Sequence, residues 1–321
     1  MMTLALTGCS FAEPSPLNPR GSVAEEQLWL IKLALGIMIF VLVVVFVLFF
    51  TALVRFRKRK GQTGIPKQVE GNVKLEIAWT VIPMILLTIL AVPTIQKTFA
   101  LAKDYKELQN AEKIIVTAKQ FWWEFEYPDY GIVTAQEMYI PVNTPIYVEL
   151  ESADVAHSFW VPALAGKTDT LPGLTNSMYF DAKEPGVYKG KCAELCGASH
   201  ALMDFKVIAV TQEEYEEWIA EMTAPATVSE EVAQGEQLFK DNCMSCHATA
   251  PDGKSMGPNL NNFAERMYVG GYRENTEEWV YQWLRDPQKI KPGTTMPAFG
   301  HLSVEELEAL TQYLLSLSNK Q

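Results

Sequence analysis

Two long apolar runs, residues 28–54 and 77–101, constrain this chain more than any other feature. The first carries a single charge, Lys32, near one end, and exceeds the roughly 20 residues that a helix needs to cross a bilayer. It closes in Arg55, Arg57, Lys58, Arg59 and Lys60, a cluster that fixes this end on the cytoplasmic side and leaves the N-terminus outside. The second run has Lys97 as its one charge and contains Pro83 and Pro93, which membrane helices tolerate better than soluble ones. Two spans joined by a short basic loop make a hairpin. Everything after about residue 102 is therefore expected on the extracytoplasmic face.

The 321 residues leave length for two further compact domains, each able to bury a core. The formal net charge is -11 and its acidic excess lies mostly after residue 100. No basic stripe with interleaved aromatics is present, so nucleic acid is set aside. The acidic surface fits either attraction of a basic protein partner or plain solvation. The five cysteines stand at 9, 192, 196, 243 and 246, an odd count that argues against a simple disulfide framework. Leu6-Thr7-Gly8-Cys9 resembles a bacterial lipoprotein processing site, which makes Cys9 a lipidation candidate and residues 1–24 a signal or lipoprotein-like segment. The alternative is an unmodified cysteine in a tail, since the stretch before it lacks the basic region of a signal peptide.

Residues 113–210 read as short strands with turn punctuation, at 114–118, 121–127, 146–150, 178–181 and 205–210. Ile146, Val148 and Leu150 alternate with Tyr147, Glu149 and Glu151, as on a half-buried strand, and the pattern predicts a small antiparallel sandwich. Inside it lies Cys192-Ala-Glu194-Leu-Cys196-Gly-Ala-Ser-His200-Ala-Leu-Met203, with His157 upstream in HSFWVP. Two thiolates, two imidazoles and a thioether form a soft donor set suited to copper electron transfer. A disulfide between Cys192 and Cys196, or zinc on the two Cys and two His, competes with that reading.

This string resembles the dinuclear copper (CuA) domain of cytochrome oxidase subunit II, over roughly residues 25–215. The resemblance implies a cupredoxin-like Greek-key sandwich in which Cys192 and Cys196 bridge two coppers. His157 and Met203 would complete one copper, and His200 with the carbonyl of Glu194 the other. It also implies that the Glu194 side chain reaches a magnesium ion shared with subunit I. Glu76-Ile-Ala-Trp79-Thr-Val-Ile-Pro83 matches the family's hairpin, where the corresponding Glu76 stands at the mouth of a proton path; an interfacial anchor is the plainer role. Gln120-Phe121-Trp122-Trp123-Glu124-Phe125 resembles the family's aromatic region of electron entry, although Phe121 stands where many members carry Trp. Phe121, Trp122 and Trp123 are thus entry candidates, or core aromatics.

The segment TQEEYEEWIAEM reads as a capped acidic helix, followed by a linker at 223–229. From 230 onward a helix delivers Cys243-Met-Ser-Cys246-His247, the c-type haem attachment pattern: two thiols add to the porphyrin vinyls and the adjacent His ligates iron. A redox dithiol or a zinc site is the alternative. Met256, Met267 and Met296 are the candidates for a second axial ligand. Residues 231–318 resemble a class I cytochrome c, whose distal Met precedes the C-terminal helix; this implies Met296, in Gly293-Thr-Thr-Met296-Pro297, before a helix over 304–317.

The expected architecture is multidomain: a two-helix hairpin within 25–102, the all-β copper domain at 103–222, and an all-α cytochrome c domain at 230–321. The resemblance implies subunit II of a bacterial cytochrome c oxidase, a multi-pass plasma-membrane protein. It would take electrons on covalent haem c and pass them through the copper pair to subunit I, where oxygen is reduced to water with proton pumping. Expected partners are subunits I and III, and cytochrome c or an upstream quinol–cytochrome c reductase as donor. A membrane-tethered denitrification protein or a copper carrier for oxidase assembly would use similar modules. The EIAWTVIP hairpin argues against the first and the fused haem motif against the second. A quinol-oxidising relative would lack the copper ligands that this chain carries.

Overall fold

The computed structural model describes residues 15–61, 63–65, 68–224 and 230–320. Cys9 lies outside them. The chain forms two compact units, Glu26–Ala102 and the remainder, Met1–Glu25 with Lys103–Gln321.

The first unit is the hairpin of α1 (Ser22–Phe56) and α2 (Val73–Leu101), both long and apolar enough to cross a membrane. Large side chains such as Phe40, Val43, Phe46, Leu48 and Phe50 are exposed along α1, and Ile82, Ile85 and Leu87 along α2. Water does not tolerate contiguous apolar surface on this scale; a bilayer does. Asn72 caps α2 by accepting from the Lys74 and Leu75 amides, and Pro83 and Pro93 lie within the helix. Lys97 pairs with Glu26 at 2.6 Å.

In the second unit ten strands form two five-stranded sheets. They are β1 (Glu112–Lys119), β2 (Trp122–Tyr127), β3 (Ile132–Ala135), β4 (Glu137–Pro141), β5 (Ile146–Ser152), β6 (His157–Trp160), β7 (Lys167–Thr170), β8 (Asn176–Phe180), β9 (Gly186–Cys192) and β10 (Asp204–Val210). The orders are β3-β2-β1-β5-β8 and β4-β10-β9-β6-β7. The sandwich forms as expected, but not with antiparallel pairs alone: β1 pairs with β5, and β10 with β4, in parallel. A Greek-key chain that crosses between two packed sheets brings such strands side by side in the same direction. Strands β3, β4, β6 and β7 escaped the sequence reading because they are short, and β7 is polar as well, whereas β9 escaped because Gly186, Lys189, Gly190 and Lys191 interrupt its apolar pattern.

Between the sheets Trp123, Phe125, Phe159, Phe180 and Phe205 are fully buried. Phe159 and Phe205 stack with centroids 4.7 Å apart. Gly190 pairs in register with Phe205, and any Cβ there would overlap the Phe205 ring. After β10, α3 (Gln212–Thr223) opens on a capping box of Thr211 and Glu214. It buries Tyr215 and Trp218, the latter stacked 4.8 Å from Tyr139.

The C-terminal part is helical: α4 (Ala233–Asn242), α5 (Glu277–Arg285), α6 (Pro287–Ile290) and α7 (Val304–Leu315), with a two-stranded ribbon β11 (Tyr268–Val269) and β12 (Arg273–Glu274). Leu307, Leu310 and Leu314 of α7 pack with Phe239, Val280 and Leu284 in one core. The helices α4 and α7 approach closely because Gly235 has no Cβ to strike the Ala309 carbonyl. This part rests on the sandwich: the Met267 amide donates to Glu137 Oε1 at 2.7 Å, the Val133 amide to the Pro251 carbonyl at 2.8 Å, and Lys254 pairs with Glu126 at 2.6 Å.

Candidate metal centre and haem pocket

Strand β6 begins at His157 and β9 ends at Cys192, and the two strands are paired, Phe159 opposite Cys192. The loop from Cys192 returns over the strand ends, turns at Gly197 (φ 133°), makes one 3-10 turn at His200–Leu202 and enters β10 after Met203. That path converges the expected donors on one spot. Cys192 Sγ stands 3.8 Å from Cys196 Sγ, 3.8 Å from His157 Nδ1 and 3.2 Å from the Glu194 carbonyl oxygen. Cys196 Sγ lies 3.7 Å from His200 Nδ1 and 3.7 Å from Met203 Sδ. His157, Cys192 and Cys196 are buried and their donor atoms all fall within 4.8 Å of one another, close enough to hold a metal ion.

The electrostatics suit a cation. Burial raises both thiols, but hydrogen bonds from His157 and from the Ser158 side of the strand bring Cys192 down to about 7. Cys196 is pushed up to about 12 by burial and by the charge of Cys192 beside it. Without a cation only one of the pair ionises; a metal charge between them lets both become thiolates. Burial lowers the His157 imidazole, yet its hydrogen bonds to Cys192 and Asp154 outweigh that and hold it above the ordinary value. Asp154 Oδ1 meets His157 Nε2 at 2.8 Å, so Nδ1 is turned to the cluster, as an outer carboxylate orients a ligating imidazole. Asp154 was not singled out from the sequence, although its place three residues before His157 is a usable signal. Nor was Gln120, whose Nε2 donates to the Cys196 carbonyl.

A cavity of ≈ 290 Å³ opens in the helical part, walled by apolar residues of the core, including Phe239, Leu260, Phe263, Val280 and Leu314. Cys243, Cys246, His247 and Met296 all line it. The His247 Nδ1–H donates to the Pro258 carbonyl at 2.7 Å, which leaves Nε2 for a metal; burial holds this imidazole below its ordinary value and therefore neutral. Gly257 lies against the ring: a Cβ would come within 2.7 Å of His247 Cε1. Met296 is half-buried and accepts a hydrogen bond on Sδ from Trp283 Nε1 at 3.1 Å. Met256 also borders the cavity but is 72% exposed, and Met267 is 41% exposed. An apolar cavity with two thiols, a neutral imidazole and a thioether in its wall fits a covalently attached haem. Trp283, on α5, was not singled out from the sequence, where no motif marks it.

The aromatic candidates separate. Trp123 is enclosed in the core, edge-on to His157 at 6.1 Å between centroids, with Nε1 directed at the Met203 carbonyl at 3.5 Å. Trp122 lies under the Lys119 ammonium at 4.5 Å and borders the haem cavity. Phe121 borders the cavity too and packs between two loops. A Cβ on Gly197 of the metal loop would stand 3.1 Å from its Cε1, and one on Gly293 3.2 Å from its Cε2. Glu76 is exposed in the first turn of α2. Cys192, Cys196, Cys243 and Cys246 are free thiols here, the first two with their sulfurs 3.8 Å apart.

Fold and donor sets define a class: a membrane-anchored β-sandwich with a thiol–imidazole donor cluster able to hold a metal, continued into a helical domain with a haem-attachment motif. Comparison with known proteins narrows it. The family model described as the cytochrome c oxidase subunit II transmembrane domain matches residues 19–96, its periplasmic domain matches 131–210, and cytochrome c matches 232–318. The chain is 49% identical to cytochrome c oxidase subunit 2 of Alkalihalophilus pseudofirmus, over 98% of this chain and 94% of that one. To the subunit of the same name in Bacillus subtilis it is 45% identical, over 99% and 95%. A quinol oxidase subunit 2 of Bacillus subtilis is 38% identical over 68% of each chain. The chain belongs to the cytochrome c oxidase subunit II family and carries a cytochrome c domain at its C-terminus. Such domains imply copper and haem.

Proposed function

We propose that this chain is the electron inlet of its oxidase, receiving electrons at its own haem domain and delivering them through the copper cluster to subunit I. When bound, haem and the copper pair supply one-electron carriers whose bonds change little on reduction. The rest is the work of protein groups. Cys243 and Cys246 would tether the haem, and His247 and Met296 would supply its iron ligands. Cys192, Cys196, His157, Met203, His200 and the Glu194 carbonyl would together hold the copper pair. Asp154 holds the His157 tautomer. The buried wall of Trp123, Phe159 and Phe205 excludes water and keeps the donors rigid, which lowers reorganisation.

The observation that carries this reading is the position of Phe121, whose ring touches the copper loop at Gly197 and the loop leading to Met296 at Gly293. Packed protein thus links the two candidate cofactor sites at Phe121. The same reading places both soluble domains on the extracytoplasmic side and takes subunits I and III as partners. A cytochrome c or a quinol–cytochrome c reductase is the donor. Glu76 stands at a proton entrance used by subunit I in oxygen reduction and pumping. The Glu194 carboxylate, exposed here, is a magnesium ligand shared with subunit I, and Cys9 a lipid anchor.

The test is optical and paramagnetic-resonance spectroscopy of the full chain, matured with haem and loaded with copper. A covalent c-type haem together with one unpaired electron shared over two coppers is the expected pair of signals. Haem alone, or zinc in the thiolate cluster, would reduce the chain to a membrane-anchored cytochrome and overturn the relay.

A further inference from the structure

Lys291 lies between α6 and Met296 and is only 2% exposed, yet it lines the haem cavity. Its ammonium has three donors. Among the described residues it makes one hydrogen bond, to the Gly270 carbonyl at 2.8 Å, and no ion pair. Of the acidic groups that act on it, Asp204 and Cys196, the thiol is pushed up to about 12 and stays protonated, which leaves Asp204. Asp204 is already engaged, bridging Lys191 Nζ at 2.9 Å. The other cation of this wall, the half-buried Arg266, faces Glu137 and donates to the Asn259 carbonyl. Burial pushes Lys291 down to about 7, the mark of a cation with too little anion beside it. A buried ammonium is stable when an anion meets it inside the same low-dielectric space. The rest of the cavity wall is largely apolar, and haem is an apolar macrocycle with two carboxylates at one edge.

We propose that Lys291 binds a haem carboxylate and so turns the carboxylate edge of the haem toward the copper-ligand loop. This rests on the haem reading above. The following residues give the placement its consequence. The Pro292 carbonyl accepts a hydrogen bond from Ser199 Oγ at 2.5 Å, next to His200, and Gly293 packs on Phe121 and Ala198. Lys291 is thus a positioning residue: it fixes one edge of the haem while the segment that bears it is itself held against the copper loop. A lysine suits a single carboxylate as a compact point charge.

The experiment compares the intact oxidase with Lys291→Met and Lys291→Arg variants, by resonance Raman spectroscopy of the haem carboxylate bending bands and by redox titration of the haem. A cation beside the haem favours its electron, so Lys291→Met is expected to shift the bending band and lower the haem midpoint potential, while Lys291→Arg stays near the parent on both. A haem-loaded Met variant with band and midpoint unchanged overturns the assignment. Should that variant fail to mature, the parent protein decides. A carboxylate paired with an ammonium stays ionised, so its band is constant from pH ~5 to ~8, whereas a band titrating in that window contradicts the pairing. Absence of covalent haem from the parent protein would sink the function reading itself; haem indifferent to Lys291 sinks this inference alone.

Discussion

All but one of the proposed copper donors fall between residues 192 and 203, and the exception, His157, stands on β6, hydrogen-bonded to the strand that ends in Cys192. The haem cavity takes its wall from residues as far apart as Phe121 and Leu314. One site is a loop clamped by two paired strands, with its donors already 3.2–3.8 Å apart. The other is a hollow whose shape is the packing of a whole helical core. A loop site is lost when a donor is lost, and leaves the fold alone. A hollow is lost when the core around it slackens, even with all its donors in place.

The largest effect should come from Cys196→Ser. Cys196 touches Cys192, His200 and Met203, so its loss removes the bridge common to the whole cluster. The shared-electron copper signal and oxidase turnover are expected to vanish, with the haem spectrum and secondary structure intact. Loss of the haem as well would break the contrast, because it would mean that the copper loop supports the cavity.

The reverse experiment is Phe239→Ala. Phe239 is 2% exposed, packs on Tyr313 at 5.2 Å and lines the cavity without offering a donor. Truncation of a buried Phe costs about 3–5 kcal/mol. Thermal melting followed at the haem band should show that loss, while the copper signal persists to the parent temperature. Equal destabilisation of both signals would make the two domains one cooperative unit.

Loading itself should differ with pH. In the metal-free chain Cys196 holds its proton up to about 12 and Cys192 up to about 7. Copper needs both thiolates, so it displaces protons and binds more tightly as pH rises. Above pH ~7 only the Cys196 proton remains to be displaced, which gives about a tenfold gain in apparent affinity per pH unit. Below it the Cys192 proton, and that of His157, held above its ordinary value, steepen the slope. Competition with a copper chelator measures this. A flat profile would mean that the thiols are ionised before the metal arrives.

The same contrast explains what could be read from sequence. The hairpin, the cysteine string and the C-x-x-C-H motif are local patterns, and the structure brings the six candidate copper donors together in one cluster. Phe121 was legible as an aromatic in an unusual place, but not as the contact between Gly197 and Gly293, because those glycines meet only once the helical part rests on the sandwich. Parallel pairing of β1 with β5 was equally out of reach: the alternation of Ile146, Val148 and Leu150 reveals a buried face but not the direction of the neighbour. Lys291 and Trp283 carry no motif at all; burial and a neighbour's sulfur single them out.

Trp283 offers the smallest and sharpest test, because it asks whether the hollow does more than enclose. Its indole N–H donates to Met296 Sδ at 3.1 Å, drawing electron density from the sulfur. A thioether so engaged is a weaker donor to ferric iron, which favours the reduced haem and raises its potential. Trp283→Phe keeps an aromatic ring against Gly270 and removes only the donor. A neutral hydrogen bond of this kind contributes about 1 kcal/mol, equivalent to roughly 40 mV for a one-electron couple. The haem midpoint is therefore expected to fall by that order, with the copper signal untouched. An unchanged midpoint would make Trp283 simply part of the wall, whereas loss of the methionine ligation band would mean that the bond holds Met296 in place as well as tuning it.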